Sequence, residues 1–520
     1  MRKLLLSLTL FVQLFANDVN TILRTDTNAT VATDINATLK NDTNLTMVTD
    51  TNVTLAKDTN TSAAKNEILA LEEDPLFHAK RKSGLSLYDA INRAIALSPK
   101  MQAAYQVVVQ DKQKVKEAEA GHLPVVNLSG DAGYELRQYA LDESSPNADT
   151  PFSTSSNYKK VDLYLTITEN LWSGGSIENA VDEKDAALHA SLYSYRDSLE
   201  NLVVSVTKSY FNVVYSEIAL KIANKNMKSY KKILNIVSIK EKNGAATKGD
   251  VNFIRANVDN AKNDLVSRQK ALSDALAQYV YLLQTESPSE LPFEVSTVFY
   301  HQDLNTSLAL ADSQNAKILK QKSYIEATKF GLLGTKGKFS PKVDFAINGE
   351  TRNEYDIGLG KREKVNALVT FNYNLYNGNK DEATAIRLLS KMHEQKFLYQ
   401  DLKRSLIFDI KVLHQSVSSL SASLKLTESE VLAARKVVDS YWIAFQHGTQ
   451  DLQALQLAQR NVNRAEQDYA NYKKEYILNS FSLMQKTGTL LKNLTLSYKA
   501  RAEEFKVDEL RLLSTYKDLE

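Results

Sequence analysis

Two stretches of 68 residues, 176–243 and 380–447, contain neither proline nor glycine. A run without breakers is read as one helix, here about 100 Å long at 1.5 Å per residue, whereas globular helices average about a dozen residues. A chain with two such rods is not a string of ordinary compact domains, and the scarcity of Pro (8) and Gly (17) among 520 residues agrees. The rods start 204 positions apart, and each follows a near-copy of the same segment, LWSGGSIENA at 171–180 and LYNGNKDEAT at 375–384. In the first rod Leu188, Leu192, Tyr195, Leu199, Leu202, Val206, Val213 and Leu220 step by threes, fours and sevens, the repeat of coiled-coil packing. In the second, Met392, Tyr399, Leu406, Ile410, Val417 and Leu424 continue it, with Lys396 and Lys403 interrupting.

Ahead of each rod lie two alternating segments. The first of each pair follows a proline that ends a helix, Pro124 or Pro341. Val126, Leu128, Ala132 and Tyr134 alternate with Asn127, Ser129, Asp131 and Glu135, and the fourth segment sets Val365, Ala367, Val369, Phe371 against Asn366, Thr370, Asn372. Period two predicts strands at 125–136, 161–171, 342–350 and 365–376. Each is about as long as a tilted strand needs to cross a bilayer, although a half-buried soluble sheet alternates in the same way. Shorter helices follow at 250–284, 308–338 and 451–490. Gly174, Gly175 and Gly378 let the chain bend from strand into rod, with Trp172 and Tyr376 placed where an interfacial aromatic girdle would lie. At the far end of the rods, Gly244 and Gly448 stop a helix and Asp250 and Asp451 can cap the next.

Residues 1–16, MRKLLLSLTLFVQLFA, have the basic-then-apolar order of a secretory signal. Residues 17–80 read as a disordered linker whose core is five octads, such as TDTNATVA and TDINATLK. Each octad carries Asp-x-Asn-x-Thr/Ser, centred on Asn28, Asn36, Asn44, Asn52 and Asn60, and Asn305 repeats the pattern in the body. Two readings stand: acceptors resembling the acid-extended sequon of bacterial N-glycosylation, or a spacer encoded by a slipped repeat. No cysteine is present, which excludes disulfides and thiolate metal sites. A net charge of +2 with scattered basic residues does not call for nucleic acid. The seven histidines lack zinc-site spacing, the Gly331–Phe339 segment lacks the phosphate-loop spacing and hydroxyl, and no catalytic constellation emerges. The expectation is no enzyme, no cofactor and no metal.

Four strands cannot close a barrel, and an open edge in hydrocarbon leaves backbone groups unpaired at several kcal/mol each. Three copies would supply twelve strands, within the range of outer-membrane barrels, with the rods continuing as a tube. The segments LSLYDAINRAIALSP, GHLPVVNLSG, LTITENLWSGGSIENA with its copy VTFNYNLYNGNKDEAT, and YWIAFQHGTQDLQAL followed by LMQKTGTLL resemble, in order and spacing, the TolC-like outer-membrane efflux protein family. The resemblance covers residues 85–496 and implies a homotrimer. It implies a mostly α chain with a transmembrane β part: a twelve-stranded β-barrel, four strands per chain, continued by a periplasmic α-helical coiled-coil barrel. The chain then divides into a first repeat, 81–290, a second, 291–496, and a tail, 497–520. By the same resemblance the function is an exit duct of a tripartite efflux pump or type I secretion system, in the bacterial outer membrane. Its tips would dock a periplasmic adaptor and an inner-membrane pump, and Asp439 is the gate candidate. A solvated Asp439 is the alternative, Lys436 stands where the family often has a second acid, and the tip turns NGAATKG and HGTQD depart from the family's Val-Gly-Leu. Rival readings are a trimeric adhesin, whose strands would sit together at the C-terminus, and a periplasmic coiled-coil scaffold.

Overall fold

The computed structural model describes residues 84–139, 154–288, 291, 303–354 and 360–496. All lie in the unit Ala70–Glu520; the unit Met1–Leu69, with the signal, the octads and Asn28 to Asn60, lies outside the described residues, as does the tail.

Helix α1 (Leu87–Leu97) starts at Ser86, whose hydroxyl accepts from the Asp89 amide. Ser98 ends α1 and caps α2 (Pro99–Glu119), with Pro99 in the first turn, where a missing amide costs nothing. Strands β1 (Val125–Tyr139) and β2 (Thr154–Trp172) lead into α3 (Ser176–Lys242) and α4 (Lys248–Leu283). The order then recurs: α5 (Leu304–Gln314), α6 (Ala316–Gly337), β3 (Lys342–Glu354), β4 (Gly360–Asn372), α7 (Lys380–Gln446) and α8 (Leu452–Thr487), ending in the short α9 (Leu490–Asn493). The long helices have 67 residues each and their antiparallel partners 36 each.

Four expectations need correction. The strands expected at 125–136, 161–171 and 342–350 run 125–139, 154–172 and 342–354, because hairpin pairing (Tyr139 with Thr154, Glu354 with Gly360) continues past the end of the alternation. The helix expected over 308–338 is two, because Asn315 is extended (φ −65°, ψ 126°) and its side chain accepts from the amides of Lys317 and Ile318. Asparagine offers the backbone a local partner and so ends one helix while starting the next. The fourth strand runs 360–372, not 365–376, so Tyr373 to Asn379 form the link to α7 and Tyr376 is not in the sheet. Finally, Asp250 is not the cap of α4. Thr247 is, with Asp250 as the reciprocal member of a capping box.

The four strands form one antiparallel sheet in the order β1-β2-β3-β4. Its central pair, β2 with β3, joins the two halves of the chain, with an irregularity between Asn170 and Trp172. The main core lies along α3, where Ile91, Met101, Tyr210, Phe211, Tyr279 and Phe481 from α1, α2, α3, α4 and α8 meet. A fully buried side chain of this kind contributes about 1.5–3 kcal/mol. The sequence stripe is recovered here: Tyr195, Leu199, Val206 and Val213 are buried, as are Leu406, Ile410 and Val417 on α7. A second core near the far end of the helices packs Ile233, Val237, Ile254, Phe445 and Leu455 together.

Candidate functional site

The sheet has one polar and one apolar face. Its register puts Asn127, Thr166, Asn348 and Asn366 in one row and Asp131, Asp162, Arg352 and Arg362 in another, so one face is polar across all four strands. On the two central strands this face shields two acids, Asp162 (1% exposed) and Asp344 (6%), whereas Asn127, Asp131 and Arg362 on the edge strands are exposed. The apolar face is open, with Leu128 71% and Val365 79% exposed. Removing apolar area from water is worth about 25 cal/mol per Å², so this face favours an apolar cover, and the hydrocarbon around a barrel wall is one. On the polar side Asp162 faces the Lys160 ammonium at 3.2 Å and accepts from the Tyr164 hydroxyl at 3.1 Å, with Arg352 at 3.9 Å bridging to Glu350. Asn170 donates to Asp344 at 2.8 Å, and Lys342 lies 3.0 Å from the same carboxylate. The shielded charges are therefore paired, as burial requires.

The three handover glycines differ in kind. Gly174 (φ 65°) passes so close to the end of α6 that an added Cβ would lie 2.5 Å from the Ser340 Cβ and 2.7 Å from the Gly337 carbonyl. Gly378 (φ 70°) has open space around it and is needed only for its left-handed backbone; Gly175 (φ 81°) sits at the start of α3. Trp172, in the last position of β2, and Tyr376, in the link after β4, are both exposed beside these bends.

At the far tips, Gly244 (φ 77°) and Gly448 (φ 78°) end α3 and α7 in left-handed turns, with the Ala245 amide donating to Lys240 and the Thr449 amide to Ala444. The Thr247 amide and hydroxyl hold the Asp250 carboxyl below the usual carboxylate range. Asp451 caps α8, accepting from the Ala454 amide. All four residues shape the turns. Asp439 lies exposed on α7, two turns before its end, with Lys436 exposed beside it. Asn305 is exposed in the first turn of α5, where Asp303 is the cap and Ser307 is buried, donating to the Asp303 carbonyl at 2.7 Å.

Several linking residues have no sequence signature, because their partners lie far along the chain. Lys240 of α3 donates to the Phe445 carbonyl at 2.6 Å and sits 4.2 Å from that ring's centre, supplying the cation that the last turn of α7 lacks. Buried Glu466 of α8 lies 3.1 Å from Lys225 of α3 and 2.7 Å from Arg435 of α7, tying three helices together. Arg196 spans Glu200 at 2.9 Å and the Gly488 carbonyl at 2.7 Å. Burial pushes the Glu200 carboxyl up to about 7, against the pull of Arg196. Only the Arg196/Glu200 spacing, i to i+4, could have been noticed in advance. Lys403, which interrupts the α7 stripe, pairs with Asp312 at 2.8 Å; Lys396 is exposed. Among the described residues no group of three or more acids and histidines is arranged to hold a metal, and no helix is long and apolar enough to cross a membrane.

The family described as "Outer membrane efflux protein" matches residues 90–283. The chain is 22% identical over 419 residues to the outer membrane protein TolC of Vibrio cholerae serotype O1, covering 76% of this chain and 87% of that one. It is 18% identical over 394 residues to TolC of Escherichia coli strain K12, covering 73% and 77%. Its fold is similar to that of the Campylobacter jejuni CmeC outer membrane channel, with a TM-score of 0.65 over 87% of this chain and 97% of that one, at 14% identity.

Proposed function

We propose that the chain is a member of the TolC-like outer-membrane efflux proteins, and that three copies of it close a twelve-stranded barrel and serve as a passive export duct. The observation that carries the reading is the two-faced sheet, with an open apolar face, an opposite face that buries Asp162 and Asp344 at its centre, and β1 and β4 at its two edges. An unpaired edge at bilayer depth needs a partner strand, and identical chains arranged head to tail supply one at every seam.

The long helices support the same assembly. On α7, Leu406 and Ile410 are buried against the rest of the chain while Phe408 and Val412, two residues further on and so about 200° around the helix, are exposed. Ile386, Phe397, Phe408, Leu426 and Val437 follow one another at steps of 11, 11, 18 and 11, about three or five helical turns, and extend this outward stripe over about 75 Å. An apolar stripe of that length suits another long helix, and a second copy offers one. The helical part would then stand in the periplasm and meet an adaptor and an inner-membrane pump, of the tripartite efflux or type I secretion kind. Three copies of Asp439 near the narrow end would crowd their carboxylates and favour a bound cation. Planar-bilayer recording of Asp439→Ala should show higher conductance or loss of divalent block; an unchanged trace removes Asp439 from the gate.

The decisive test of the duct is membrane fractionation with unheated gel electrophoresis. A heat-modifiable trimer in the outer membrane is the expected result, and a freely soluble monomer overturns it.

A further inference from the structure

Where the sheet ends and the long helices begin, the chain surrounds a cavity of about 580 Å³, a volume usual for ligand sites. It lies between the start of α3, the end of α6, the start of β3, the end of β4 and the first turn of α7, so both strand-to-rod handovers border it. The same links carry exposed Trp172, Phe339, Leu375 and Tyr376, and Tyr373 lines the cavity itself. Aromatic and apolar side chains left in the open beside a polar hollow suit the surface of a membrane, where one end of a ligand is wet and the other is not.

Several groups on the cavity wall have bonding capacity that the chain itself does not use. The Ser173 hydroxyl is buried without a hydrogen-bond partner, a cost that a bound ligand would remove. Lys338 follows the last turn of α6, where Lys336 already places a cation, and its ammonium makes no ion pair among the described residues. Lys342 lies 3.0 Å from Asp344 and retains donors for a second acceptor. Asp381 accepts from the Asn377 side chain through one carboxylate oxygen, which leaves the other available. A simple anion in this space would meet Asp381 as well as the lysines. A molecule with a phosphate at one end and an ammonium at the other satisfies all of them.

We propose that this cavity holds the headgroup of an amine-bearing phospholipid, one per chain. The phosphate is received by Lys338, Lys342 and the Ser173 hydroxyl and the ammonium by Asp381, while the acyl chains run out along the exposed side chains of the handover links. The inference rests on the duct reading, which puts the helix end of the sheet at the periplasmic surface of the outer membrane, and it adds a bound lipid to each subunit at that depth. The paired charges make the site selective for a zwitterion over a purely anionic headgroup.

The test is native mass spectrometry of the full-chain trimer, delipidated in detergent and titrated with phosphatidylethanolamine, with phosphatidylglycerol, or with water-soluble glycerophosphoethanolamine. Phosphatidylethanolamine should bind one per chain and ahead of phosphatidylglycerol, and the soluble headgroup should not displace it. Lys338→Gln should weaken both lipids about tenfold. Asp381→Asn, whose side-chain oxygen still accepts from Asn377, should weaken phosphatidylethanolamine about fivefold and leave phosphatidylglycerol unchanged. The unheated trimer band of each variant is its control, and the preference between the two lipids is read on the unmodified chain. Equal binding of the two lipids, variants that bind as the unmodified chain does, or displacement by the soluble headgroup would each overturn the inference while leaving the duct intact. If no heat-modifiable trimer is recovered, the duct reading fails first and the lipid site falls with it.

Discussion

Helices α3 and α7 have the same length, the same place in their half of the chain and the same apolar stripe, yet 24 residues of α3 are buried and only six of α7. α3 is wrapped by α1, α2, α4, α6 and α8 and is the axis of the main core. α7 packs on α5, α6 and α8 along one side and leaves an apolar stripe on the other. Copying a helix has not copied its role: one copy holds the chain together, and the other leaves one apolar side uncovered.

The sharpest way to break this contrast is to place a charge on each helix in turn. Leu199→Asp on α3 strands an unpaired carboxylate in the core; a cost of more than about 4 kcal/mol should leave no folded protein by circular dichroism. Phe408→Asp on α7 should keep the helical signal and abolish the heat-modifiable trimer. If both variants lose the fold, α7 is not the free side.

A smaller effect separates buried from exposed ion pairs. Glu466→Ala removes the acid that Lys225 and Arg435 share and should cost about 1.5–3 kcal/mol in denaturant unfolding. Lys403→Ala at the more exposed Asp312 should cost less than about 1 kcal/mol. Equal losses would mean that burial does not set the strength of these links.

Glu200 provides a pH test of the same comparison, since position 404, its counterpart on α7, is an exposed arginine. Its folded pKa, about 7, is raised above the unfolded value near 4.5, so the folded state retains the proton over that interval. Its contribution is complete below about 4.5 and is lost as pH rises through about 7. The melting temperature should therefore fall between pH 5 and pH 8, and Glu200→Gln should reduce that fall. A variant with the wild-type pH slope would remove Glu200 as its source.

The smallest effect concerns the repeated acceptor motif. In α5 Asp303 and Ser307 are committed to the helix start, so the motif around Asn305 is helical and not an open loop. Mass spectrometry of native protein should find glycan on Asn28 to Asn60 and none on Asn305. Bare octad peptides would leave them as spacer.

Much of the fold was legible because it is written in short-range patterns. Alternation in β4 named the polar and apolar faces before the register was known, and Asp451 announced the start of α8. The misses share a cause. Asn315 breaks a helix whose apolar spacing continues through it, and its side chain also donates to the Lys486 carbonyl, 171 positions away. Tyr373 continues the alternation of β4 but lies beyond its last paired residue. Lys403 looked like a flaw in a stripe until Asp312 was placed beside it.

By itself the sequence determined the lengths of the rods, the two faces of each strand and the positions of most turns. Those depend on dihedral preference and on neighbours two to four residues away. Only the tertiary structure decided that β2 pairs with β3 across the two halves, that Glu466 gathers three helices, and that α3 rather than α7 is enclosed. Burial is a collective property of every element that packs around a residue, and two nearly identical patterns carry no local mark of which one will be surrounded.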